Sequence, residues 1–229
     1  MAPKLAAISV LLLLCATGEP PKRAADQAAL KPFAGLVGEW KGTGQPQRGS
    51  ARGAWTESAG WAWTLTNESA GLAYASPKGK YLRSAVLRPA KAKGEFVLDA
   101  VLADGSKRAY SGKIGPRDAL ILTPEAAVEP GLAKVTITPL HETRFLMLLE
   151  DDKAARLGEL GFTRQGVAFA AGDASPACIV TEGRGTIAVS HKGKTYYVCC
   201  SGCKDLFKDD PEGVLAEADR RAKAKAKAK

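Results

Sequence analysis

Between residues 31 and 167 the chain consists of short segments of β-type composition separated by turn residues, and this rhythm restricts its fold more than any other feature. The segments fall at 39–44, 53–58, 61–65, 72–75, 81–88, 95–102, 107–114, 119–123, 135–138, 145–150 and 161–164. Several alternate apolar with polar residues, as in Val135-Thr136-Ile137-Thr138, which Pro139 then closes. Such alternation gives a strand one buried and one solvated face. Asp104-Gly105, between the segments at 95–102 and 107–114, is a hairpin signal. About ten short strands in roughly 140 residues, with no convincing helix, predict an antiparallel barrel or sandwich.

The cysteines point to a second unit. Four of the five lie within 26 residues: Cys178, then Cys199-Cys200-Ser201-Gly202-Cys203. One distant thiol thus meets a close pair, either Cys199 with Cys203 or the CxxC of Cys200 with Cys203. A small zinc-finger-like unit gathers soft ligands around one ion in this way. A module of about residues 174–219 has little core of its own, so a metal or a disulfide is expected to hold it together. Thr186 to Ser190 alternates, His191 to Lys194 reads as a turn, and Thr195 to Val198 completes a β-hairpin. With Ser201 as N-cap, Cys203 falls in the first turn of a helix running through Leu206 and Phe207. Asp210-Pro211 starts a second helix with Val214, Leu215 and Ala218 on its inner side. The helix dipole favours the thiolate of Cys203. Adjacent strand residues face opposite ways, so Cys199 and Cys200 cannot both join Cys203 unless the strand breaks there. His191 is a further candidate ligand. The competing chemistry is a disulfide from Cys178 to Cys199 or Cys203, which oxidising surroundings would favour. Redox exchange through Cys200 and Cys203 has less support, because the thioredoxin-type βαβ context is missing.

The termini carry their own signals. Lys4 followed by the apolar run 5–14 reads as an export signal over residues 1–18, too short to span a bilayer. Cleavage after Gly18 suits the small residues Ala16-Thr17-Gly18. Cys15, which closes the run, offers lipidation and membrane anchoring instead, although Leu14 stands where a small residue is usual. Periplasm or cell envelope is the expected location. Residues 16–30 have linker composition. The net charge of +9 is concentrated in Arg220, Arg221, Lys223, Lys225, Lys227 and Lys229. No aromatic residue interleaves these cations, so residues 220–229 read as a solvated basic tail and not a nucleic-acid arm.

Two resemblances sharpen the reading. Gly38-Glu39-Trp40-Lys41-Gly42-Thr43-Gly44 on the first strand and Gly161-Phe162-Thr163-Arg164 on the last resemble the lipocalin-like (calycin) barrels, and the glycine pattern is similar to the nitrobindin branch. The likeness implies that Trp40 caps the barrel and Arg164 stacks on its ring. It also implies room for a small apolar ligand, with Trp55, Trp61 and Trp63 as wall or core. Nitrobindin-type barrels hold haem through a histidine, but His141 reads as a loop residue. Pro176-Ala177-Cys178, the run from Gly193 to Cys203, Phe207 and Asp210-Pro211-Glu212 resemble the YHS domain, a TRASH-like module of bacterial heavy-metal proteins. That resemblance implies Cys178, Cys199 and Cys203 as ligands, with Cys200 a candidate fourth, for one soft ion such as Zn²⁺ or Cu(I). Val198, Ile179 and the missing Tyr-His-Ser triplet depart from the family pattern without touching a ligand position. The expected organisation is a lipocalin-like barrel over 31–167 and a β-hairpin-plus-helix metal module over 174–219. The function implied is extracytoplasmic metal binding as carrier, buffer or sensor part. The alternative is a ligand-binding barrel with the cysteines as a structural clip. No Ser/His/Asp set or carboxylate pair marks an enzyme.

Overall fold

Ten strands form one antiparallel meander that closes on itself. They are β1 (Gly38–Gln45), β2 (Trp55–Leu65), β3 (Ala70–Ala75), β4 (Leu82–Pro89), β5 (Glu95–Leu102), β6 (Lys107–Ile114), β7 (Leu120–Pro124), β8 (Leu132–His141), β9 (Arg144–Asp151) and β10 (Arg156–Arg164). Each pairs with its successor, and β1 pairs with β10, which removes the free sheet edges an open array would expose. The structure, a computed structural model, describes residues 22–125, 131–165 and 176–227. The export signal over 1–18 and the lipidation site Cys15 lie outside these described residues.

Trp40 and Arg164 face each other at the seam where β1 pairs with β10 and closes the barrel. Trp40 is fully buried and donates its indole N–H to the carbonyl of Leu36 at 2.7 Å. The guanidinium of Arg164 lies 4.3 Å from the centre of that ring, which places a cation on an electron-rich face. Its fork also donates to the carbonyls of Glu142 (2.6 Å), Val37 (2.7 Å) and Gly35. Gly38 has φ +135°, and a Cβ there would sit 2.3 Å from Arg164 Nη1, so the Gly-x-Trp spacing has a steric cause. Gly42 and Gly44 point inward and leave room for the rings of Phe162 and Trp55.

Side chains fill the barrel. Trp61 tilts against Tyr74 at 5.1 Å, and Phe145 stacks on Phe162 at 4.4 Å while meeting Trp40 edge-on. A 3₁₀ turn over Lys31–Leu36 inserts Phe33 and Leu36, with Phe33 edge-on to Phe96. Trp61 and Trp63 are both core residues. His141 ends β8, is exposed, and faces Thr143 Oγ1 at 3.3 Å.

Three local expectations need correction. The segments at 53–58 and 61–65 are one strand, because inward burial continues through Glu57, Ala59, Trp61 and Trp63 past Gly60. Pro139 does not end β8; the strand absorbs it with a register shift between Pro139 and His141. Part of the expected linker is helical: α1 (Lys22–Ala29) docks on the barrel through Asp26, whose carboxylate accepts the Ala70 N–H at 3.1 Å. Asp104-Gly105 does turn the chain, with Gly105 at φ +88° and the Asp104 carboxylate accepting the Ser106 N–H at 2.8 Å.

After the barrel come a hairpin, β11 (Ile187–His191) and β12 (Lys194–Val198), then α2 (Ser201–Asp209) and α3 (Pro211–Lys227). Asp210 caps α3 by accepting the Gly213 N–H at 2.9 Å. Residues 220–227 are not a free tail: they continue α3, and Arg221 and Lys225 pair with Glu217 and Glu182.

Replacing Arg164 by Ala removes the ring contact and three carbonyl interactions, so urea unfolding should show a loss of about 2–4 kcal/mol. Arg164→Lys should recover little of it, because an ammonium cannot present the planar fork.

Candidate metal centre

The four C-terminal thiols converge from three pieces of backbone. Cys178 sits on a tight loop: its N–H donates to the Gly183 carbonyl at 2.6 Å and its carbonyl accepts the Glu182 N–H at 2.8 Å. The neighbouring Ile179 N–H donates to Tyr197 on β12 at 2.9 Å, which fixes the loop against the hairpin. Cys199 and Cys200 follow the end of β12, and Cys203 stands in the first turn of α2. The N-cap of α2 is Cys200 and not the expected Ser201; its backbone is extended, and its carbonyl accepts the Lys204 N–H at 3.0 Å.

This break in the strand answers the question of facing. Because β12 stops at Val198, Cys199 and Cys200 escape strict alternation and both turn toward the cluster. Cys199 Sγ lies 3.5 Å from Cys203 Sγ and 3.9 Å from Cys200 Sγ. The sulfurs of Cys178, Cys199 and Cys203 all lie within 4.8 Å of one another, and this trio can hold a metal ion. Four thiolates on one tetrahedral ion, each about 2.3 Å from it, would stand about 3.8 Å apart. A disulfide needs about 2.05 Å between sulfurs, and all four thiols are free.

Burial sorts the four. Cys178 and Cys203 are 1% and 0% exposed, Cys200 is buried, and Cys199 alone is half-buried. The Cys199 and Cys203 thiols donate toward Cys178 and Cys200, which lowers the pKa of both acceptors. The two donors are pushed up, Cys199 and Cys203 alike chiefly by their bonds to Cys178. The physical cause is shared protons: four thiolates this close would repel unless a cation neutralised them.

The surroundings complete the site. Cys200 Sγ accepts the Trp63 N–H of β2 at 3.3 Å, and the Thr181 hydroxyl meets Cys199 Sγ at 3.4 Å. Gly202 packs so tightly on β2 that a Cβ would sit 1.7 Å from the Trp63 carbonyl oxygen. Arg221 of α3 donates to the Ile179 carbonyl at 2.7 Å, and Lys225 binds the Glu182 carboxylate at 2.8 Å. None of these supporting residues is announced by spacing. Only Gly202, inside the Cys200–Cys203 loop, lay within a motif. His191 is not among the clustered ligands; its Nε2 lies 2.9 Å from Glu212 and its ring meets Phe207 edge-on.

No model of a known protein family matches the chain, and a search of curated proteins found no match either.

Lys225, bound to Glu182, holds that carboxyl below its ordinary value, with Arg221 and Lys31 adding to the effect. A depressed folded pKa stabilises above the ordinary carboxylate range and is lost as pH falls through the lower, folded value. Hydrogen exchange should therefore show α3 losing protection in acid. Glu182→Gln should lower its protection at neutral pH and flatten that acid response. Separately, Gly202→Ala should lower stability by about 1–3 kcal/mol in denaturant titrations, since backbone and not a flexible side chain blocks the methyl.

Proposed function

We propose that this chain is an exported soft-metal-binding protein, acting outside the cytoplasm as a carrier, a buffer or part of a sensor. One observation carries the reading: the sulfur of Cys178 and those of the close pair Cys199 and Cys203 lie within 4.8 Å of one another without bonding. The resemblance of residues 176–212 to the YHS domain points the same way. Cys178, Cys199 and Cys203 are the proposed ligands, and Cys200, turned to the same cluster, the proposed fourth.

Thiolates favour soft or borderline ions, so Zn²⁺ and Cu(I) are the fitting cargo. The start of α2 contributes the partial positive charge of a helix N-terminus, which eases thiol deprotonation. The Trp63 N–H keeps the Cys200 sulfur oriented. Barrel and hairpin together shield three of the four thiols from water, which slows oxidation and leaves exchange to the Cys199 side. In this view the barrel is a rigid wall for the metal site. Its core is occupied by its own aromatic rings, which leaves the rival reading of an apolar ligand there with less support. The apolar run before Cys15 supports export, and lipidation of Cys15 would tether the protein to the cell envelope.

The test is metal content and thiol titration on mature protein purified anaerobically from its export compartment. About one zinc or copper per chain is expected, and it should be lost in Cys178→Ser and Cys203→Ser. Cys200→Ser should keep the ion but bind it about 10- to 100-fold more weakly. Because the ligands bind as thiolates, affinity should fall steadily as pH drops, protons competing for the same sulfurs. Metal-free protein with its thiols paired as disulfides would overturn the proposal and make the cysteines a staple.

A further inference from the structure

A cleft of about 560 Å³ opens between α1, the loop that follows Cys178, and α3. Its size falls within the range of small-molecule sites. Small residues leave the space, Ala24 and Ala28 on one wall and Gly183 on the other, with Trp63 and Val180 supplying apolar surface. The charges are unequal. Lys31, Arg221 and Lys225 line it against Glu182 and Glu217, and Arg23 adjoins it through its ion pair with Glu217. A site with surplus cations suits an anion.

The position of the cleft says what kind of anion. Two of its lining residues touch the thiol cluster directly: Thr181 through its hydroxyl to Cys199 Sγ, and Trp63 through its N–H to Cys200 Sγ. Cys199, behind Thr181, is the one half-buried thiol of the four. A ligand held in the cleft is therefore one residue away from the thiol cluster, reaching Cys199, its most accessible sulfur, past Thr181.

We infer that this cleft binds a small anionic thiol and that this thiol exchanges with Cys199 for the bound soft metal. The inference rests on the metal-binding reading above. The exchange balances without redox chemistry: the incoming sulfur bonds to the ion as the Cys199 sulfur lets go. The proton of the incoming thiol passes to the released Cys199 thiolate, and no electron is transferred. Anchored Cys178 and Cys203 keep the ion while the exchange proceeds.

Two measurements on the full mature chain test it. The first follows metal transfer to an external chelator as reduced glutathione, the probe, is raised. The rate should saturate with glutathione, whereas neutral mercaptoethanol should give only a shallow linear rise. Ala28→Trp, which fills the cleft from its α1 wall, and Lys31→Glu, which reverses a lining charge, should each weaken the half-saturating concentration about fivefold or more while leaving metal stoichiometry unchanged. The second measures S-methylglutathione, which cannot ligate through a thiolate, binding to metal-free protein by NMR. It should bind the native chain and not Ala28→Trp. Metal bound but released equally by both thiols, with no effect of Lys31→Glu, would overturn the cleft proposal alone. A protein that binds no metal would overturn the metal-binding reading and the exchange step with it, while the NMR titration still decides whether the cleft holds the anion.

Discussion

The contact between the start of α2 and the backbone of β2 is the constraint on which the C-terminal half depends. β1 pairs with β2 only as far as Trp61, so beyond that residue the β2 edge facing β1 has no strand partner. Backbone N–H groups that are buried without partners cost free energy comparable to a lost hydrogen bond. The Cys200 sulfur meets this need by accepting the Trp63 N–H, and Gly202 lets the helix come close enough to do so. A module too small for its own core thereby borrows the wall of a larger one. Val198, Leu206 and Phe207 join the same continuous core as the barrel residues.

Electrostatics then organises the outer side of the module. Glu182, two residues past a buried part of the Cys178 loop, is held by Lys225 and approached by Arg221, while Glu217 joins Arg221 to Arg23 of α1. These pairs are partly exposed, so each contributes little by itself. Their value lies in connection: the first and last helices described in the chain meet over the loop that carries a thiol. The excess of positive charge, which composition alone would assign to a solvated tail, is thus partly spent on holding the thiol loop in place and partly left facing a cleft.

The barrel was readable because each strand obeys local rules. Period-two alternation, Asp104-Gly105 and the glycines around Trp40 all report on nearest neighbours, and strands β5 and β6 match the expected segments end to end. The misreadings have a common cause. Gly60 and Pro139 look like strand breakers to a local rule, but pairing on both sides of β2 and a register shift in β8 override them. In the same way α1 has a polar, alanine-rich sequence that resembles a linker, and only its contacts with β3 and α3 make it a docked helix.

For the thiol site the division is sharper. Spacing alone brought out Cys178, Cys199, Cys200 and Cys203 as one chemical group, because loop lengths between ligands are set by the reach of a hairpin and one helical turn. Which way Cys199 and Cys200 face was not a local question. It depends on where β12 stops, and β12 stops where α2 must begin in order to meet Trp63. The sequence by itself determined that the chain holds an array of alternating antiparallel strands, barrel or sandwich, and a cluster of soft ligands. Tertiary structure decided that the cluster is built against the barrel wall, because the contact that seats it there joins Trp63 and Cys200, more than a hundred positions apart.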